Sequence, residues 1–208
     1  MVKVKICGIT NLPDAQAAVG AGCDALGFVF YKKSPRYIEP RRAAEIIRGL
    51  PKQVVKIGVF VNASERFIRK TARLCRLDML QFHGEESPAF CRRFRGFKVI
   101  KGFRVKDGID IRGCLRYRVF AYLFDAFSSR AYGGTGRTLR WSFVARDLAG
   151  VKTTIFLSGG LDERNVARAI RCIRPAWVDA SSCLEKAPGE KDHARIRGFV
   201  RKAKRRAR

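Results

Sequence analysis

A beat in the sequence constrains this chain most. Eight short, β-rich apolar runs recur along it: VKVKICG (2–8), ALGFVF (25–30), VVKIGVFV (54–61), MLQFHG (79–84), KVIKGFRV (98–105), AYLFDAF (121–127), TIFLSGG (154–160) and WVDASS (177–182). Runs of this length, several closing on glycine or a polar residue, read as strands. Amphipathic stretches separate them. Asn11 offers an N-cap for NLPDAQAAVGAG, and Pro40 sits near the first turn of EPRRAAEIIRGL, which places Ala44 and Ile47 on one stripe. Ser64 opens SERFIRKTARLCRL. Asp162 opens DERNVARAIRCI, with Val166, Ala169, Ile170 and Ile173 at helical intervals. DHARIRGFVRKAKR makes the last helix. The weakest links are KDGIDIRGCLRYR, only partly helical, and the Gly-rich loop before a short helix from Trp141.

Eight strands alternating with eight helices predict an α/β fold, a single (β/α)8 (TIM) barrel over residues 1–208, with a basic helix end and tail at 195–208. The repeat averages about 26 residues, compact for such a barrel. A doubly wound open sheet is the rival, but CGITNLPD after the first strand is not the GxGxxG turn of that fold.

Composition narrows the function classes. An apolar share of 47% over 208 residues suffices for a real core. No apolar run reaches the ~18 residues of a membrane span, and the N-terminus reads as strand, not as a signal peptide. Seven cysteines without CxxC spacing, beside two histidines, argue against a zinc site and for reduced thiols in a cytoplasmic protein. The net charge of +26 attracts anions: phosphorylated metabolites, nucleic acid or acidic membrane surfaces. The acid-free end RIRGFVRKAKRRAR reads as a solvated helix and frayed tail. Its few aromatics weaken a stacking role on single-stranded nucleic acid.

In a barrel, chemistry gathers at the C-terminal ends of the strands. Those ends supply Cys7, YKKSPRYI, Gln81 with His83, Asp125 with SSRAYGGTGRT, SGG and DASS. Strand parity turns Val2, Val4 and Ile6 toward the helices and Lys3, Lys5 and Cys7 inward. Lys5 beside Cys7 is expected to lower the thiol pKa. Asp125 shares its inward face with Leu123 and Ala121, surroundings that raise a carboxyl pKa, as a general acid needs. Phosphate is expected at the loops after the seventh and eighth strands, with Gly159 and Gly160 allowing close backbone approach and Ser181 and Ser182 adding hydroxyls. YGGTG at 132–136 reads as a mobile active-site loop. Cys23, Cys75, Cys91, Cys114 and Cys172 read as inert.

KICGIT, KSPRYI, GVFVN, LQFHGEE, FDAFSSRAYGGTGRTLRW, SGGLDERNVARAI and VDASS…PGEKD, in order from residue 3 to about 199, resemble the phosphoribosylanthranilate isomerases of tryptophan biosynthesis. The resemblance implies a cofactor-free barrel that performs an Amadori rearrangement on a small phosphorylated substrate. It implies Asp125 as the general acid that opens the ribose ring and Cys7 as the general base that takes the C2 proton. It also implies Arg36 on the anthranilate carboxylate, His83 and Asp179 as positioning contacts, and a phosphate cradle around Gly159, Gly160 and Ser182. Cys183 departs from the pattern, which has glycine there. If that backbone needs φ > 0, the cysteine is strained. Two rivals stand beside this reading. The histidine-pathway aminoaldose isomerase calls for aspartate at position 7 and a longer chain with two phosphate sites. A basic barrel binding nucleic acid non-specifically through its surface would owe its affinity to charge.

Overall fold

The computed structural model describes residues 1–105, 108–126 and 141–205. All eight expected strands form: β1 (Lys3–Cys7), β2 (Ala25–Val29), β3 (Val55–Phe60), β4 (Met79–Phe82), β5 (Lys98–Val105), β6 (Ala121–Ala126), β7 (Thr154–Leu157) and β8 (Trp177–Ala180). They pair in parallel, each with its sequence neighbour, and β8 closes on β1 through Lys5 opposite Asp179. The architecture is a (β/α)8 barrel.

The connecting helices are α1 (Leu12–Gly20), α2 (Pro40–Arg48), α3 (Glu65–Leu74), α4 (Pro88–Arg92), α5 (Ile111–Leu115), α6 (Trp141–Asp147), α7 (Val166–Ile173) and α8 (His193–Lys204). Local chemistry sets their starts. The Asn11 and Ser64 side chains accept from the Asp14 and Phe67 amides, as capping residues do. α7 begins later than the sequence suggests. Asp162 instead caps a preceding turn, accepting from the Arg164 and Asn165 amides. α2 buries Ala43, Ile46 and Ile47, so its buried stripe is centred one residue away from Ala44. A short hairpin, β9 (Glu185–Ala187) with β10 (Glu190–Lys191), follows β8 and is not evident from the sequence.

Strand alternation divides the core. One set of side chains faces the helices. The other, Ala25, Ile57, Met79, Ile100, Ala121, Leu123, Phe156 and Trp177, plugs the barrel's lower interior, where Phe156 stacks on Trp177 at 4.8 Å between centroids. The basic C-terminal end is a docked helix. Ile196, Phe199, Val200 and Ala203 of α8 are buried, and Lys204 pairs with Asp24 at 3.0 Å. Residues 206–208 lie outside the described residues. No helix among the described residues is long and apolar enough to cross a membrane.

Candidate active site

Above the apolar plug, polar side chains enter the interior beside Val29 and Val59. Cys7 ends β1 and Asp125 lies near the end of β6; both point inward and both are buried. Asp179 of β8, Gln81 of β4 and His83 just past β4 are buried with them. Lys5, fully buried, joins these walls. Its Nζ donates to Asp179 Oδ2 at 2.8 Å and to Gln81 Oε1 at 2.9 Å. Burial works against the charge on Lys5, but Asp179 and Cys7 outweigh it, so its pKa is raised and the ammonium persists. Close approach demands glycines: a Cβ on Gly27 would sit 2.7 Å from Cys7 Sγ, and one on Gly102 2.6 Å from His83 Nδ1.

The Cys7 thiol departs from the sequence expectation. Burial pushes its pKa up, Lys5 and Lys191 pull it down, and Asp179 pushes it up again; burial wins and the net direction is upward. Proximity to lysine misled because burial of the thiol outweighs the Lys5 charge, and Asp179 adds to the upward shift.

Arg36, in the loop after β2, does not present its whole fork to the barrel mouth. Glu185 of β9 takes one edge, with Nε–Oε1 at 2.8 Å and Nη2–Oε2 at 2.7 Å. Lys191 of β10 donates to the same carboxylate at 2.7 Å. Burial pushes Glu185 up, yet Arg36 and Lys191 together hold its carboxyl below the usual range. Gly8, with φ +79°, packs beneath this corner. A Cβ there would meet Arg36 Cδ at 2.7 Å and Ser181 Oγ at 3.1 Å.

After β7, Gly159 and Gly160 both adopt positive φ, 92° and 62°, a backbone conformation that favours glycine. Ser182 begins a 3₁₀ turn, Ser182–Leu184, and the Ser181 hydroxyl is turned back to donate to the Cys7 carbonyl at 3.1 Å. Asp179 Oδ1 is buried and has no hydrogen-bond partner among the described residues, and neither has His83 Nε2.

The sequence profile of the family described as N-(5'-phosphoribosyl)anthranilate (PRA) isomerase matches residues 4–202. The N-(5'-phosphoribosyl)anthranilate isomerase of Geobacter sulfurreducens is 50% identical over 204 residues, covering 98% of this chain and 99% of its own. That of Pelobacter propionicus is 52% identical over 204 residues, covering 98% and 96%. The crystal structure of the Thermotoga maritima phosphoribosyl anthranilate isomerase superposes with a TM-score of 0.92 at 43% identity, covering 98% of this chain and 99% of that one. A further isomerase structure holds reduced 1-(o-carboxyphenylamino)-1-deoxyribulose 5-phosphate; it matches with a TM-score of 0.88 at 42% identity, covering 98% and 99%.

The chain belongs to the phosphoribosylanthranilate isomerase family. The tryptophan-biosynthetic isomerisation implied by its motifs is the activity of that family.

Within this isomerase fold, the residues singled out in the sequence converge on one barrel mouth, except that YGGTG at 132–136 lies outside the described residues. Cys183 is half-buried in the 3₁₀ turn and is not among the residues with positive φ, which removes the proposed strain. Glu185 and Lys191 were missed. Their partner Arg36 is 149 residues from Glu185, and no local pattern joins them. The inward parity of Lys5 was legible; its partners on β4 and β8 were not.

Proposed function

We propose that the chain, acting as one unit, converts N-(5-phosphoribosyl)anthranilate to 1-(2-carboxyphenylamino)-1-deoxyribulose 5-phosphate by general acid and base catalysis. Asp125 gives a proton to the furanose ring oxygen as the C1–O bond breaks and the anthranilate nitrogen forms a Schiff base with C1. The Cys7 thiolate takes the proton from C2, leaving an enolamine. C1 then gains a proton and the C2 hydroxyl loses one, giving the ketone. No external oxidant or reductant enters, and the proton gained by Cys7 balances the one lost by Asp125.

One observation carries the reading. Two buried proton-transfer groups, Cys7 and Asp125, face inward from β1 and β6 at the same end of the barrel. Arg36, steadied by Glu185 along its Nε edge, offers its outer Nη edge to the anthranilate carboxylate. Gly159, Gly160 and Ser182 would cradle the phosphate, and Asp179 Oδ1 would accept from a ribose hydroxyl. Purified protein mixed with the ribotide should form the ketone product under multiple turnover. Absence of product at any enzyme concentration overturns the proposal.

A further inference from the structure

The polar interior of the barrel forms a chain with a direction. Asp179 Oδ2 binds Lys5 Nζ at 2.8 Å, and Lys5 Nζ binds Gln81 Oε1 at 2.9 Å. Gln81 Nε2 lies 2.9 Å from His83 Nδ1, and His83 Nε2 faces Asp125 Oδ2 at 3.5 Å. The chain runs from β8 through β1 across to β4 and on to β6. An ammonium only donates, so Gln81 must turn its oxygen to Lys5 and its NH₂ to His83. Nδ1 therefore accepts. A neutral imidazole whose Nδ1 accepts carries its proton on Nε2, the nitrogen that faces Asp125.

We propose that Lys5 and Gln81 are positioning residues that fix His83 as its Nε2–H tautomer and thereby aim and support Asp125 in proton transfer. At 3.5 Å the contact is not a hydrogen bond, and Nε2 is buried with no hydrogen-bond partner among the described residues. The contact tightens as Asp125 loses its proton, because a donor binds a carboxylate more strongly than a carboxylic acid. Support of this kind is larger in the transition state than before it, and so acts on kcat. Only an amide fits position 81: a carboxylate could accept from Lys5 but could not donate to Nδ1. Gly102 leaves room for the imidazole against β5, since a Cβ there would collide with Nδ1. The part of the proposal that concerns Asp125 rests on the acid role argued above; the tautomer does not.

The test is nitrogen NMR of protein labelled with ¹⁵N-histidine. The chain has two histidines, so comparison with His193→Gln assigns the signals. Unliganded wild type should show His83 with bare Nδ1 and protonated Nε2. Gln81→Glu should move a proton onto Nδ1. It should also lower kcat about 10²-fold, the scale of a misplaced catalytic group, with a much smaller change in KM. Gln81→Met, which neither accepts like the amide oxygen nor donates, keeps the test open if the glutamate variant does not fold. It should release the tautomer and lower kcat to a similar extent. A wild-type His83 protonated on Nδ1, or substitutions at Gln81 that leave kcat within twofold, would overturn the inference. The nitrogen shifts are read without substrate, so a failure of the tautomer and a failure of the isomerase chemistry are separate results.

Discussion

Two layers of side chains fill the same barrel, two residues apart on the same strands. Met79, Leu123 and Trp177 lie in the lower layer; Gln81, Asp125 and Asp179 lie in the upper. The backbone is the same for both, and so is the inward direction. What differs is depth along the axis. The lower layer packs apolar side chains such as Phe156 and Ile100 on one another, with Lys3 Nζ 5.3 Å over the Trp177 ring at its edge, so its contribution is packing. The upper layer places charged and polar groups where they pair across the barrel, Lys5 with Asp179 and with Gln81. Parity along a strand therefore says which residues point inward, and position along the strand says which layer they join; the upper layer also holds the apolar Val29 and Val59 beside Cys7.

The largest effects should come from the upper layer. Asp125→Asn and Cys7→Ser should each lower kcat by about 10²–10⁴, the usual worth of a positioned acid or base. Denaturant midpoints should stay near wild type. Near-normal kcat in either variant would remove that residue from its role. The upward shift of the Cys7 thiol adds a pH dependence. The base works as thiolate, and the thiolate absorbance of Cys7, read as wild type minus Cys7→Ser, should rise with pH and level off only above the ordinary thiol value of about 8.5. A thiolate midpoint below that value would mean that the Lys5 charge outweighs burial after all.

The lower layer should respond in the opposite way. Phe156→Ala removes a fully buried ring stacked on Trp177 and should cost about 3–5 kcal/mol of stability. In the protein that remains folded, kcat should change only a few-fold. Urea unfolding and steady-state kinetics on the same preparation read both quantities. A kcat loss as large as that of Asp125→Asn would show that the two layers are not separable.

The sequence made one half of this comparison legible. Period-two alternation turned Lys5, Cys7 and Asp125 inward, and the repeat of strand and helix implied the barrel that gathers them at one mouth. It did not reveal who pairs with whom across the interior. Lys5 reaches Gln81 on a strand 76 residues away, and Asp179 at 174. Such contacts follow from barrel closure and register, which no window of sequence contains. The same blindness produced the wrong direction for Cys7. A lysine two residues away is visible in sequence; the burial of the thiol and the charge of Asp179 near it are not.

At the rim, away from both layers, a substitution should divide kcat from KM. Arg36→Lys keeps the charge but loses the planar fork that grips Glu185 by one edge and offers another to the substrate carboxylate. That carboxylate does not change during the reaction. KM should rise roughly tenfold or more, the scale of a lost charge-assisted hydrogen bond, while kcat holds. A loss confined to kcat would move the anthranilate site elsewhere.

The smallest effect is expected at Cys183. Glycine at this position would relieve strain only if the native backbone were left-handed. Cys183 instead sits in the Ser182–Leu184 turn and is not among the residues with positive φ. Cys183 lines a groove of about 290 Å³ with Asp162, Glu163 and Arg195, between the turn before α7 and the first turn of α8. Cys183→Gly then adds freedom to the unfolded chain without easing the folded one. Stability should fall by up to about 1 kcal/mol, and inhibition by inorganic phosphate should stay unchanged. A thermal melt and a phosphate inhibition series on the two proteins give both readings. Tighter phosphate binding in the glycine variant would mean that the side chain, and not the backbone, was crowding the anion.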